Sequence, residues 1–128
     1  MPKFYSQEWL DEVTKLSASQ PERPGASARI QYHVTGGPEG DVKYYSVLES
    51  GRYTEQTVGE DPNADFTLSY SWDDGVRVQK GELDPNAAFM QGRMKVTGNM
   101  GKLMALMPLT QSPEYKAMQE QIRAFTDF

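Results

Sequence analysis

KGELDPNAAFMQGRMKVTGNMGKLMAL, residues Lys80–Leu106, compresses two helix starts, a strand and four of the seven methionines into one stretch. Asp84 offers a side-chain acceptor directly ahead of Pro85, the N-cap and first-turn pairing that opens a helix, and Ala87, Ala88, Phe89 and Met90 continue it until Gly92 stops it. Met94 and Val96 share one face of a strand. Asn99 then caps a further helix in which Met100, Leu103, Met104 and Met107 recur at i, i+3, i+4 and i+7, an apolar stripe that runs to Pro108. Methionine is unbranched and polarizable and adapts to irregular apolar shapes. On spacing alone such a stripe either fills gaps in a core or walls a cavity for a greasy ligand.

Immediately upstream, Phe66, Leu68 and Tyr70 alternate with Asp65, Thr67 and Ser69, which reads as a strand facing a core. Ser71, with Asp74 three residues on, resembles an acidic capping box and opens a helix over residues 72–80 that Gly75, Val76 and Val78 weaken. Nearer the N-terminus, Ile30, Tyr32 and Val34 share one side of a strand while Arg29, Gln31 and His33 share the other. A glycine-rich loop over residues 36–40, a strand over 42–49, a turn at Ser50-Gly51 and a strand over 52–58 complete a meander. Ser6 caps a first helix with Trp9, Val13 and Leu16 on one face. Downstream of the central stretch, Ser112-Pro113 starts a helix whose stripe of Tyr115, Met118, Ile122 and Phe125 opposes Glu114, Lys116, Glu120 and Arg123. That helix packs on its own domain, forms a dimer or partner contact, or covers a pocket mouth. The element order predicts an α+β fold of two layers.

Composition narrows the function. A chain of 128 residues suffices for one stable domain, and a net charge of −5 with 13 scattered basic residues argues against nucleic acid as a partner. No apolar run is long enough to span a bilayer, and residues 1–13 lack the apolar region of a secretory signal, so a soluble cytoplasmic protein is expected. The C-terminal Asp127-Phe128 is not a peroxisomal address. Absence of cysteine excludes thiol chemistry and thiolate metal sites. His33 is the only imidazole, its strand face is polar, and no G-x-S-x-G elbow supplies a nucleophile for it. Asp73-Asp74 and Glu60-Asp61 lack EF-hand spacing and read as caps and solvated loops, so no metal site is expected. Gly98-Asn99-Met100-Gly101 lies between strand and helix, where free amides either meet an anionic head group or make a tight turn into the helix.

Gly81, Leu83, Pro85, Ala88-Phe89-Met90, Gly92, Lys95-Val96, Gly98, Met100 and Leu106 together resemble the sterol carrier protein type-2 family, whose pattern runs G-x-L-x-P-x-x-A-F-x-x-G-x-x-x-V-x-G-x-M. Residues 64–68 resemble the strand that precedes this pattern. Before residue 60 the match is one of element order only, after Pro108 the chain departs from the pattern, and Asn99 stands where the family usually carries an acidic residue. The resemblance implies a five-stranded, largely antiparallel sheet covered by helices, one domain over residues 1–128, and a hydrophobic tunnel between the layers. It implies non-enzymatic carriage of a lipid (fatty acid, fatty acyl-CoA, phospholipid or sterol) with no cofactor, by a monomer or homodimer. On that basis the cavity wall is placed at Trp9, Tyr32, Phe66, Leu68, Phe89, Met90, Met94, Met100, Leu103, Met104 and Met107. Two other functions stay open: a partner-binding or dimerisation module using the helix from Pro113 to Phe125, and a small enzyme of lipid metabolism.

Overall fold

Capping side chains decide where the helices begin. Ser6, Ser71, Asp84, Asn99 and Ser112 each accept a hydrogen bond from the backbone amide three residues ahead, which the helix itself leaves unpaired. In the computed structural model, which describes residues 1–128, the elements run α1 (Gln7–Ser17), β1 (Ala28–Gly37), β2 (Gly40–Glu49), β3 (Arg52–Val58), β4 (Phe66–Ser71), α2 (Trp72–Gln79), α3 (Pro85–Met90), β5 (Lys95–Gly98), α4 (Met100–Thr110) and α5 (Pro113–Phe125). No helix is long and apolar enough to cross a membrane.

The five strands form one sheet in the order β3-β2-β1-β4-β5. Every neighbouring pair is antiparallel except β1 and β4, which run parallel. The register sets Ile30 opposite Phe66, Tyr32 opposite Leu68, Val34 opposite Tyr70, and Tyr32 opposite Tyr44. Since side chains alternate with period two, these residues share the face that the helices cover. Across that face α1 lies against β3, α2 against β1 and β4, and α4 against β4, while α5 touches both α1 and α4.

The buried side chains fall into two groups. One gathers Phe4, Tyr5, Trp9, Leu10, Val13, Val34, Tyr44, Tyr70, Met118 and Ile122 around α1 and α5. The other gathers Ala26, Ala28, Ile30, Leu48, Phe66, Leu106 and Leu109 beneath α4. Tyr32, Tyr53, Leu68 and Tyr115 pack against both groups without being fully buried. They mark the place where the two half-cores meet.

The structure departs from the sequence reading at two points and selects among its alternatives at one more. First, α4 does not end at Pro108 but continues to Thr110. Proline deletes one ladder hydrogen bond, here on the solvent side, while Leu109 beyond it gains a site that is 4% exposed. Second, of the readings open for α5, the structure shows packing on its own domain: Met118 and Ile122 are 2% and 1% exposed. The Trp9 indole N–H also donates to Thr126 Oγ1 at 2.7 Å, and the Phe4 amide donates to the Asp127 carbonyl at 3.0 Å, which ties the two chain ends together. Third, Asp61 is no solvated loop residue. Its carboxylate accepts from Arg29 Nε at 2.7 Å and from the Asn63 amide at 2.9 Å, while its own amide donates to Gln31 Oε1 at 2.8 Å. The Arg29 hydrogen bond holds the Asp61 carboxyl below the usual carboxylate range.

Candidate functional site

Between the sheet and the helices lies a cavity of about 610 Å³, within the usual range for small-molecule pockets. Its floor is the inward face of the sheet: Ile30 and Tyr32 from β1, Tyr44 and Leu48 from β2, Tyr53 and Gln56 from β3, and Phe66, Leu68 and Tyr70 from β4. Its other walls come from Trp9 and Val13 of α1, Phe89 of α3, Met94, the α4 residues Leu103, Leu106, Met107 and Leu109, and Tyr115 and Ile122 of α5. Charged side chains reach the lining only from the end of α2, the segment after it and α5: Lys80, Asp84, Lys116, Glu120 and Arg123. The Arg123 guanidinium donates to the Gln79 carbonyl at 2.9 Å, which fastens α5 to the end of α2.

Eight of the eleven residues expected on the wall line this cavity: Trp9, Tyr32, Phe66, Leu68, Phe89, Met94, Leu103 and Met107. Met90, Met100 and Met104 do not, being 83%, 42% and 55% exposed. For α4 the reason is rotation at Met104 and position along the helix axis at Met100. The inward face runs through Leu103, Leu106, Met107 and Leu109; with successive residues about a hundred degrees apart Met104 comes round toward solvent, while Met100, on the same side as Met107, is the first residue of the helix and lies outside the lining. Met90 ends α3, whose buried residue is Ala88.

The methionine pattern hides a second group. Six of the seven tyrosines, Tyr5, Tyr32, Tyr44, Tyr53, Tyr70 and Tyr115, line the cavity. The Tyr5 and Tyr70 hydroxyls hydrogen bond at 2.7 Å, and the rings of Tyr32 and Tyr44 stack with centroids 4.3 Å apart. A Cβ on Gly75 would sit 2.9 Å from both Tyr5 Oη and a Tyr70 ring carbon, so the glycine that weakens α2 is what lets that helix close over the pair. Burial, reinforced at most positions by neighbouring phenols, raises the pKa of all six above the ordinary tyrosine value. They remain neutral donors and acceptors at physiological pH. The alternation of β1, β2 and β4 is the available signal, since Tyr32, Tyr44 and Tyr70 occupy inward positions on those strands.

The other candidate features have local explanations. Asn99 Oδ1 accepts from the Lys102 amide at 3.1 Å and the Asn99 amide donates to the Asp65 carbonyl at 2.9 Å, so this corner is a tight turn into α4. A Cβ on Gly98, whose φ is +118°, would lie 2.7 Å from that same carbonyl. On the outer face of the sheet a second depression is lined by Gln31, His33, Lys43, Glu60, Asp61, Pro62 and Thr67, all but the proline polar or charged. Its charges pair locally: Lys43 with Glu60 at 2.9 Å, and His33 Nε2 lies 3.5 Å from Asp41. Asp74 receives Arg93 at 3.1 Å.

Comparison with known proteins follows the same lines. The sequence pattern of the SCP-2 sterol transfer family matches residues 9–111, from α1 through the end of α4. Sterol carrier protein 2 of Homo sapiens is 32% identical over 82 residues, which cover 64% of this chain and 15% of that protein. The chain therefore spans a small part of the length of that relative. Non-specific lipid-transfer protein-like 1 of Caenorhabditis elegans is 26% identical over 119 residues, covering 89% of this chain and 97% of that one. The solution structure of a conserved hypothetical protein of Thermus thermophilus superposes with a TM-score of 0.73 at 20% identity, over 98% of this chain and 92% of that one, and so shares the fold. With the family pattern spanning all five strands and the mixed sheet and its helices arranged as described, this chain belongs to the SCP-2 sterol transfer family.

Proposed function

We propose that this chain binds a lipid in the cavity between sheet and helices and carries it without altering it chemically. The observation that carries this reading is the cavity itself, about 610 Å³ lined largely by apolar and aromatic side chains. Each methylene moved from water into such a space contributes about 0.8 kcal/mol, so an acyl chain or a sterol skeleton supplies ample gross driving force without specific polar contacts. The names of its relatives, a sterol carrier and a non-specific lipid-transfer protein, support the same ligand class. Fatty acids, fatty acyl-CoA thioesters, phospholipids and sterols are the candidates. Trp9, Tyr32, Phe66, Leu68, Phe89, Met94, Leu103 and Met107 are proposed as ligand-contacting residues.

Native mass spectrometry of freshly purified protein, followed by displacement of a fluorescent fatty acid across a lipid panel, tests the proposal. Co-purified lipid or micromolar displacement is expected. A bare protein mass together with no binding across the panel overturns lipid carriage.

A further inference from the structure

The cavity floor carries more hydrogen-bonding capacity than an apolar chain requires. Tyr5 and Tyr70 satisfy one another at 2.7 Å. The hydroxyl of Tyr53, from β3, stands instead among those of Tyr32, from β1, and Tyr115, from α5, with Ser46 beside Tyr32 and Gln119 beside Tyr115, so these phenols form an open polar group on the cavity lining rather than a closed pair. All three rings lie deep between sheet and helices yet keep accessible surface, because that surface faces the cavity. A phenol has one donor and two acceptor positions, so hydroxyls that share one another loosely keep capacity for an oxygen that enters the space.

The charge distribution decides what kind of oxygen that is. No charged side chain of the sheet lines the cavity, and the cations of the lining (Lys80, Lys116 and Arg123) come from the end of α2 and from α5. A carboxylate held against the sheet at Tyr32 and Tyr53 would lose its hydration, and the sheet supplies no cation there to replace it. An uncharged oxygen loses far less, and three phenols can both donate to it and accept from it. We propose that Tyr32, Tyr53 and Tyr115 form a polar subsite inside the cavity for an uncharged oxygen of the ligand, the hydroxyl or carbonyl of a neutral lipid, in preference to a carboxylate. The subsite presupposes lipid carriage by this cavity and adds the chemistry of the cargo.

The test compares 1-dodecanol, dodecanoate and dodecane, each titrated against bound 1-anilinonaphthalene-8-sulfonate, in the full chain and in the double variant Tyr53→Phe/Tyr115→Phe. The loss of two hydrogen-bonding oxygens is expected to weaken dodecanol about five- to tenfold relative to dodecane. Dodecanoate, with its head group at the cationic side, is expected to change no more than dodecane. An unchanged dodecanol-to-dodecane ratio overturns the subsite, and so does an equal loss for dodecanoate. If none of the three displaces the dye from the unmodified chain, lipid carriage itself fails, which is a separate result. Should the double variant not fold, carbon NMR of the unmodified protein labelled at tyrosine Cζ gives the same answer. Dodecanol must then shift the Tyr53 and Tyr115 signals and dodecane must not; equal shifts overturn the subsite.

Discussion

The two helices at the C-terminal end, α4 and α5, both carry apolar stripes in sequence, and the structure uses them differently. Helix α5 is charged on one side and apolar on the other, and it turns Met118 and Ile122 into the core. Helix α4, MGKLMALMPLT, is apolar almost all round with Lys102 its one charge, and it leaves Met100 and Met104 in solvent while Leu106 and Leu109 are buried. Amphipathic contrast selects a face; uniform apolarity does not. A helix without contrast is oriented by whatever shape it meets, and here it meets the rim of a cavity.

The largest expected effect removes one member of this pair. Truncation after Leu109 deletes α5 with its two core residues and the Trp9–Thr126 bond, and we expect loss of the cooperative thermal transition. A truncated chain that melts cooperatively would show α5 to be an appendage and make the two helices equivalent. Next in size, Ile122→Ala on α5 should cost about 2–5 kcal/mol in urea denaturation, as a large-to-small change at a fully buried site does.

A pH experiment separates the helices on a different axis. The Tyr115 phenol on α5 is raised above its ordinary value first by burial, whereas α4 holds no tyrosine or acid. A group with a raised folded value contributes stability that is fully present below its unfolded pKa, near 10, and lost as pH climbs toward the folded value. Stability should therefore fall above about pH 10 by about 1.4 kcal/mol per pH unit for each such tyrosine, and Tyr115→Phe should make the decline shallower. An identical slope in that variant would remove Tyr115 from the anchoring of α5.

The smallest effects test α4. Met104→Ser should shift stability by less than about 0.5 kcal/mol and leave fluorescent fatty-acid binding unaltered, because Met104 is 55% exposed and outside the cavity lining. Leu103→Trp, one position away, should fill cavity space and block that binding, for a stability cost of about 1–3 kcal/mol. If the two substitutions behave alike, the rotation of α4 is not the one described.

Much of this molecule is legible residue by residue. All five helix caps can be named from Ser6, Ser71, Asp84, Asn99 and Ser112, since a cap is a contact between neighbours in the chain. The inward positions of β1 and β4 follow from alternation, and the glycine-rich pattern from Gly81 to Met100 leads to the family. Sequence misleads where the deciding partner lies far along the chain. Asp61, in the loop between β3 and β4, reads as solvated because Arg29, which holds it, is on β1. Gly75 reads as a helix weakness because the Tyr5 and Tyr70 side chains it accommodates come from the N-terminal segment and β4. Met100 and Met104 are expected on the wall together with Leu103 and Met107 because period alone cannot assign the faces of a helix that is apolar on nearly every side.

Element types, caps, the α+β order and the family were set by local chemistry: the 3.6 and 2.0 periodicities and the side chains that satisfy helix ends act over a few residues and can be read there. The gathering of six tyrosines from the N-terminal segment, four strands and α5 around one cavity, the rotation of α4 and the burial of α5 arise only when the two half-cores meet. Those features depend on contacts between residues far apart in sequence. Packing selects among them by burial and shape, quantities that exist only once the chain has closed on itself.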